Sequence, residues 1–361
     1  MSGSFDLIQK NFGFGYMRLP MNGEDVDIAQ TTKMVDMFLE NGFNYFDTAH
    51  GYINGKSELA IKECLSSRYP RDKYILTNKL SAPCFKTEED IRPLFQQQLE
   101  ACGVEYFDFY LLHAVSAARM PFYEGTRAFE IAQEFKQEGK VRHVGMSFHD
   151  KAEVLDQILT KHPEIEVVQI QFHYVDFEDE KVESRKCYEV CRKHGKPVII
   201  MEPVKGGSLI NLPPAAQNIL DRLNGGSNAS YAIRFAAGFE GVIMVLSGMS
   251  TIGQMEDNIS FMKAFQPLNA EERKALDKVC AIFRNQGLIP CTACRYCTEV
   301  CPQEIAIPEL CTAVNAKRSD QHIQEVSGGM PADCIKCGKC EEICPQNLKI
   351  RELLTVAAEE L

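Results

Sequence analysis

No stretch of the 361-residue chain stays apolar long enough to cross a membrane. The aliphatic run Val242-Ile243-Met244-Val245-Leu246 is one of the longest, and a spanning helix needs about 20 such residues. A block of positive charge is also missing. The formal net charge is −11, and with nothing to neutralise a phosphate backbone, nucleic acid is not expected as a partner. The opening Met1-Ser2-Gly3-Ser4-Phe5-Asp6 lacks the basic-then-apolar pattern of a secretion signal, so a cytoplasmic location is expected. What is present is core-forming material. Apolar residues make up 45% and charged residues 25%, enough for one large domain with a small one, or two of medium size. Cysteine stands out: there are fifteen, most of them beyond residue 290. An odd number without a signal sequence argues against a disulfide framework and for reduced thiols with a chemical task.

Short runs rich in Val, Ile, Phe and Tyr recur at 12–19, 44–49, 74–80, 107–114, 141–148, 167–174, 197–204 and 241–249. Several are continuously apolar, as strands buried on both faces of a parallel sheet must be. Helical patterns lie between them. Residues 28–41 carry apolar residues at helical spacing and stop at Gly42, and 91–101 follow a loose Thr87/Asp90 capping box and stop at Cys102-Gly103. Segments 150–160, 180–193 and 229–237 take the same role. Strand–helix alternation repeated in this way over roughly 250 residues predicts a closed (β/α)8 TIM barrel. An open doubly wound sheet needs a phosphate-binding turn, and Gly13-Phe14-Gly15 has neither a third glycine nor an immediate helix.

In such a barrel the chemistry sits where strands end. Asp47 ends the second candidate strand, Lys79 the third and His113 the fourth, with Tyr52 shortly after Asp47. A phenol is a poor proton donor at neutral pH, an ammonium beside it favours the phenolate, and a carboxylate holds the ammonium. An imidazole nearby can bond a substrate oxygen, so the set suits protonation of an oxygen that turns negative as hydride arrives at a carbonyl carbon. Singly, a strand-end Lys or His is more often structural. Four compatible types on one rim favour catalysis.

Over roughly 8–265 the chain resembles the aldo-keto reductase family, through Phe46-Asp47-Thr48-Ala49, Tyr52, Gly55-Lys56-Ser57-Glu58, Asn78-Lys79 and Leu111-Leu112-His113. Gly145-Met146-Ser147, Val168-Gln169-Ile170-Gln171 and Gln254-Met255-Glu256-Asp257-Asn258 extend the likeness. The resemblance implies reduction of small aldehydes or ketones, or the reverse alcohol oxidation, with NADP or NAD extended across the barrel mouth. It implies Tyr52 as general acid, Lys79 and Asp47 as its tuners and His113 as the residue orienting the carbonyl. It also implies that Ser147 and Gln169 hold the nicotinamide, with Met201 where many members stack an aromatic ring. Glu202, Val204, Lys205 and Gly206 would lie along the pyrophosphate, and Gly248, Ser250, Gln254, Asp257 and Asn258 would hold the adenosine end. Phe148-His149 follows Ser147 where the family usually has Asn, and Thr251 stands where a cation grips the 2′-phosphate.

Residues 269–285 read as a connecting helix capped by Asn269 with Glu272 in the capping-box position, followed by a Gly-Pro linker. The domains are therefore expected at 1–268 for the barrel, 269–289 for the connection and 290–361 for a small α+β dicluster ferredoxin-like unit. In that unit Cys291, Cys294, Cys297 and Cys301-Pro302 give C-x2-C-x2-C-x3-C-P, and Cys334, Cys337, Cys340 and Cys344-Pro345 repeat it. This spacing predicts two [4Fe–4S] clusters, with the fourth cysteine of each motif serving the other cluster. Zinc modules use paired C-x2-C instead. Residues 308–326 could form a helix between the motifs, ended by Gly328-Gly329 and Pro331. Cys187, Cys191 and Cys311 are expected to be packing residues. Nicotinamide carries two electrons as hydride whereas a cluster passes one at a time. A flavin could join the two, but no motif indicates one. The expected function is a carbonyl oxidoreductase whose clusters serve a redox partner, a ferredoxin or flavoprotein; the alternative is an electron-transfer subunit with the barrel as scaffold.

Overall fold

The computed structural model describes residues 5–361 apart from 224, 319–321 and 324. Eight parallel strands close into a barrel: β1 (Phe12–Gly15), β2 (Tyr45–Asp47), β3 (Ile75–Ser81), β4 (Phe107–Val115), β5 (Val141–Phe148), β6 (Val167–Gln171), β7 (Val198–Met201) and β8 (Val242–Gly248). Closure is made by β8 against β1, with Phe12 opposite Val245 and Gly15 opposite Gly248.

Alternation along the strands explains why they read as apolar throughout. Tyr45, Phe109, Leu111, Val167, Ile199 and Met244 fill the barrel interior, while their neighbours Phe46, Tyr110, Leu112, Val168 and Ile200 pack outward among the helices. The interior is tight. A Cβ at Gly145 would lie 2.5 Å from both Val167 Cγ1 and the Val167 carbonyl oxygen, so only glycine lets β5 and β6 approach. Phe5 closes the lower end, stacked on His143 at 4.6 Å and tilted against Phe109.

The helices start and stop on the signals in their sequences. Ile28–Glu40 is capped by Asp27, which accepts from Gln30 N at 2.9 Å, and Glu88–Cys102 by the reciprocal Thr87/Asp90 box. The strands are shorter than expected at their C-terminal ends. The runs at 12–19, 167–174 and 197–204 leave the sheet at Gly15, Gln171 and Met201, which hands their last residues to the rim. A small hairpin, Met21–Asn22 with Asp25–Val26, was not foreseen.

The connecting helix Ala270–Arg284 is capped by Asn269 and Glu272, and Glu272 also pairs bidentately with buried Arg234 at 2.8 and 3.1 Å. Beyond it, Tyr296–Glu299, Ile307–Arg318, Lys339–Ile343 and Ile350–Glu360 surround a second core of Ile305, Ile307, Leu310, Val314, Ile350 and Leu354. The helix expected over 308–326 is corrected here. Residues 319–321 and 324 lie outside the described residues, and 325–327 are not helical. Gly329 instead returns to residues 304–306, its N–H donating to Glu304 and its carbonyl accepting from Ala306 N.

Candidate active site and thiol cages

Asp47, Lys79 and His113 emerge on adjacent strands at one end of the barrel. Lys79 Nζ donates to Asp47 Oδ1 at 2.6 Å and to the Thr48 carbonyl at 2.8 Å, wholly away from solvent. The other Asp47 oxygen accepts from Gln169 Nε2 at 3.3 Å. Tyr52 begins a tight turn in which Ile53 and Asn54 adopt left-handed φ of 52° and 53°. That turn folds its ring over the mouth. Lys79 Nζ lies 4.8 Å from the ring centroid, and the Tyr52 and His113 rings meet edge-on at 5.8 Å. Ser81 Oγ, 2.6 Å from His113 Nδ1, fixes the imidazole from behind, and the other ring nitrogen, Nε2, lies 3.3 Å from the Tyr296 hydroxyl.

Burial sets the protonation states. Lys79 was expected to make the Tyr52 phenol more acidic; the phenol's pKa is pushed well above the ordinary value, first by burial and then by the Asp47 carboxylate. Lys79 is engaged by Asp47 and faces the ring rather than the oxygen. Burial also lowers Lys79 itself. It holds His113 well below its ordinary range, and the Lys79 charge adds to that. A protonated phenol and a neutral imidazole therefore converge.

A cavity of about 1090 Å³ opens from this rim, lined by Asp47, Tyr52, His113, Gln169, Met201 and Glu202. Its further lining includes Val204 and Gly206, then Gly248, Ser250, Gln254, Asp257 and Asn258. Ser147 and Lys205 do not border it. Ser147 Oγ accepts from Ala114 N at 2.7 Å within the wall. Left-handed Glu202 (φ 57°) and Lys205 (φ 49°) reverse the loop and turn the Lys205 side chain inward, where it is buried in an ion pair with Asp176. Among the described lining residues Arg18 is the only Lys or Arg. It is already committed, donating to the Thr292 carbonyl at 2.7 Å and lying 3.6 Å from Glu202. Thr251 Oγ1 accepts from Gln254 N as a helix cap, and Asp257 accepts from Ser227 at 2.6 Å.

The C-terminal unit supplies the roof. Thr292, Cys294, Tyr296, Pro345 and Gln346 all line the same cavity. Gly206 (φ 61°) admits the incoming loop, since a Cβ there would stand 2.8 Å from Thr292 Cα. A buried amide pair completes the seam: Gln346 donates to Gln171 at 2.8 Å and Gln171 to Gln346 at 3.3 Å. Cys291, Cys294 and Cys297 border one small cavity with Cys344, and Cys334, Cys337 and Cys340 border another with Cys301. Each donor set, four thiols around a space, fits an iron–sulfur cubane. Cys187 and Cys191 are buried in the main core and Cys311 in the small one.

Residues 11–281 match the model of the Aldo/keto reductase family. The chain belongs to that family. Residues 290–348 match the 4Fe-4S dicluster domain. The chain is thus an aldo-keto reductase-type oxidoreductase carrying an iron–sulfur domain. Among curated relatives, an NADH-specific methylglyoxal reductase of Escherichia coli is 24% identical over 196 residues, covering 48% of this chain and 57% of that enzyme. L-galactose dehydrogenase of Arabidopsis thaliana is 24% identical over 264 residues, covering 67% of this chain and 80% of its own. A solved aldo-keto reductase from Bacillus halodurans, in its holo form, superposes with a TM-score of 0.61 at 25% identity, over 74% of this chain and 91% of that one. Among the described residues no helix is long and apolar enough to cross a membrane.

Within this aldo-keto reductase three cavity residues escaped the sequence reading of the site. Arg18 follows β1 without any motif. His149 was noted only as a departure; burial lowers its pKa to about 3, and its buried Nδ1 has no hydrogen-bond partner among the described residues. Tyr296 was treated as a spacer between cluster cysteines. An aromatic residue inside a cysteine loop was the one signal that pointed to it.

Proposed function

We propose that this aldo-keto reductase interconverts a small aldehyde or ketone and its alcohol, with NADH or NADPH as hydride carrier. Tyr52 is the general acid, His113 bonds the carbonyl oxygen, and Lys79 with Asp47 forms the polar floor beneath the phenol. A bound nicotinamide supplies hydride to the carbonyl carbon, and bound [4Fe–4S] clusters exchange electrons singly. The residues of the chain do the rest. As the carbon–oxygen π bond opens, the oxygen takes the Tyr52 proton, the alcohol leaves, and water reprotonates the phenolate. Gln169, held against Asp47, is placed for the coenzyme's carboxamide. Val204, Gly206, Gly248, Ser250, Gln254, Asp257 and Asn258 supply the remainder of the coenzyme bed, with no part for the side chains of Ser147 and Lys205. We place the barrel at 1–268, the connection at 269–289 and the cluster domain at 290–361.

The meeting of the Tyr52 ring and the His113 imidazole at the head of a cavity sized for a dinucleotide carries this reading. Its test is anaerobic turnover of methylglyoxal, the compound named for the Escherichia coli relative, with each coenzyme. Tyr52→Phe should lose activity by about 100-fold or more while keeping its cluster absorbance. Unchanged turnover removes Tyr52 as proton donor.

One observation favours an added electron-transfer role. Cys294 borders the catalytic cavity, whereas Cys337 is exposed and the neighbouring Ile335 is 60% exposed. The two thiol sets, Cys291/Cys294/Cys297/Cys344 and Cys334/Cys337/Cys340/Cys301, thus form a path from cavity to surface. A ferredoxin or flavoprotein docking beside Ile335 would complete it, in a reducing cytoplasm that keeps the thiols free. If neither nicotinamide binds while a reduced ferredoxin bleaches the clusters, the barrel is a scaffold and the relay is the function.

A further inference from the structure

The Tyr296 hydroxyl lies 3.3 Å from His113 Nε2 with its ring edge-on to the imidazole at 6.1 Å, and it lines the same cavity as Tyr52, whose own ring meets that imidazole edge-on at 5.8 Å. Tyr52 and His113 are the two partners that a substrate carbonyl oxygen needs. We propose that Tyr296 is a specificity-determining residue of the carbonyl site: its hydroxyl stands where the substrate oxygen must bind, so every substrate has to displace it. The proposal rests on the reading of Tyr52 and His113 as the carbonyl-binding pair.

The placement is built, not incidental. Tyr296 sits between Cys294 and Cys297, and its loop is kinked by Ala293 (φ 51°) and Arg295 (φ 66°). Side-chain-bearing residues adopt such left-handed conformations only where their surroundings impose them. The surroundings here are the Arg18–Thr292 hydrogen bond and the seat over Gly206. With the backbone held at Thr292, the phenol itself has to swing away to make room.

Displacement selects substrates in a definite way. A simple aldehyde bonded to Tyr52 and His113 takes the His113 contact from the Tyr296 hydroxyl and leaves that hydroxyl without a partner in a half-buried site. A carbonyl with a second oxygen on the neighbouring carbon offers that hydroxyl a new partner. The site should therefore favour small 2-oxoaldehydes and 2-hydroxycarbonyls over plain carbonyls of equal size.

The test compares wild type with Tyr296→Phe, each purified anaerobically with its cluster absorbance confirmed. Removing the competing hydroxyl should raise kcat/KM for acetone about fivefold, through KM, because one hydrogen bond no longer has to be broken. For hydroxyacetone the lost partner offsets that gain, so the hydroxyacetone-to-acetone ratio should fall about fivefold or more. A purely structural tyrosine would shift both substrates equally, and an unchanged ratio overturns the proposal. A second measurement does not need turnover. In calorimetry, acetate should bind the variant about fivefold tighter than wild type, while glycolate should not. If no carbonyl turns over but the acids show this split, the reductase reading fails and the role of Tyr296 stands. If neither acid distinguishes the two proteins, the proposal fails.

Discussion

Replacing Lys79 by Met isolates the buried charge on which the rim is built. The change takes the ammonium away from Asp47 Oδ1 (2.6 Å) and from the Thr48 carbonyl (2.8 Å), and leaves Asp47, 4% exposed, with only Gln169 at 3.3 Å. Stranding one member of a buried ion pair costs about 3–5 kcal/mol. Protonation sets a ceiling on that cost: neutralising a carboxylate of ordinary pKa at pH 7 takes about 4 kcal/mol, and at pH 5 only about 1.5 kcal/mol. The variant should therefore be about 3–4 kcal/mol less stable at pH 7 and recover about 2 kcal/mol by pH 5. The sign follows from linkage. In the variant the folded Asp47 has a higher pKa than in the unfolded chain, so folding takes up a proton and stability rises as pH falls between those two values. Urea unfolding of the holoprotein, followed anaerobically by far-UV circular dichroism at both pH values, measures it. The double variant Asp47→Asn/Lys79→Met should regain most of the loss, since no charge is then stranded. A deficit that does not change between pH 7 and pH 5, or one that the second substitution leaves in place, refutes the reasoning.

Other consequences can be checked separately. Cys344→Ser should remove the paramagnetic signal of the cluster on Cys291, Cys294 and Cys297, and Cys301→Ser that of the other; the opposite pairing in the reduced variants would show that the thiol sets are not crossed. Because Thr251 is a helix cap and Asp221 and Asp257 line the cavity with Arg18 as its one described Lys or Arg, NADPH should bind no more than about threefold tighter than NADH in calorimetry, as its extra phosphate finds no charge-assisted bond. A tenfold preference for NADPH would contradict this. Gly206→Ala puts a methyl group at φ 61° against the Thr292 backbone, at a cost of about 1–2 kcal/mol for the left-handed conformation alone. Amide exchange over 292–296 should accelerate about tenfold or more in this variant, and unchanged exchange would mean the loop is not seated on Gly206.

Much of the architecture could be read before any coordinates, and the particular cases show why. The strands and the capping boxes at Thr87/Asp90 and Asn269/Glu272 are local patterns, complete within a few residues. Asp47, Lys79 and His113 were legible for the same reason, since a strand end is a place the chain itself marks. What failed to show were events involving distant partners. Lys205 turned into the wall because two left-handed residues reverse its loop and Asp176, far away in the chain, receives it. Ser147 spends its oxygen on Ala114 N. The helix after Ile307 is not continued over 325–327, where the Gly328-Gly329 segment is drawn back to 304–306.

Sequence alone was enough for the barrel, its family and the cysteine spacing of the second unit, because periodicity and spacing are properties of the chain in one dimension. Only the folded molecule decided the proton affinity of Tyr52 and the residue that shares its cavity from the roof. Both depend on how deeply a roof built nearly 250 residues further along the chain covers the mouth, as Tyr296 shows against Tyr52. Desolvation and contact between such remote segments exist only in three dimensions.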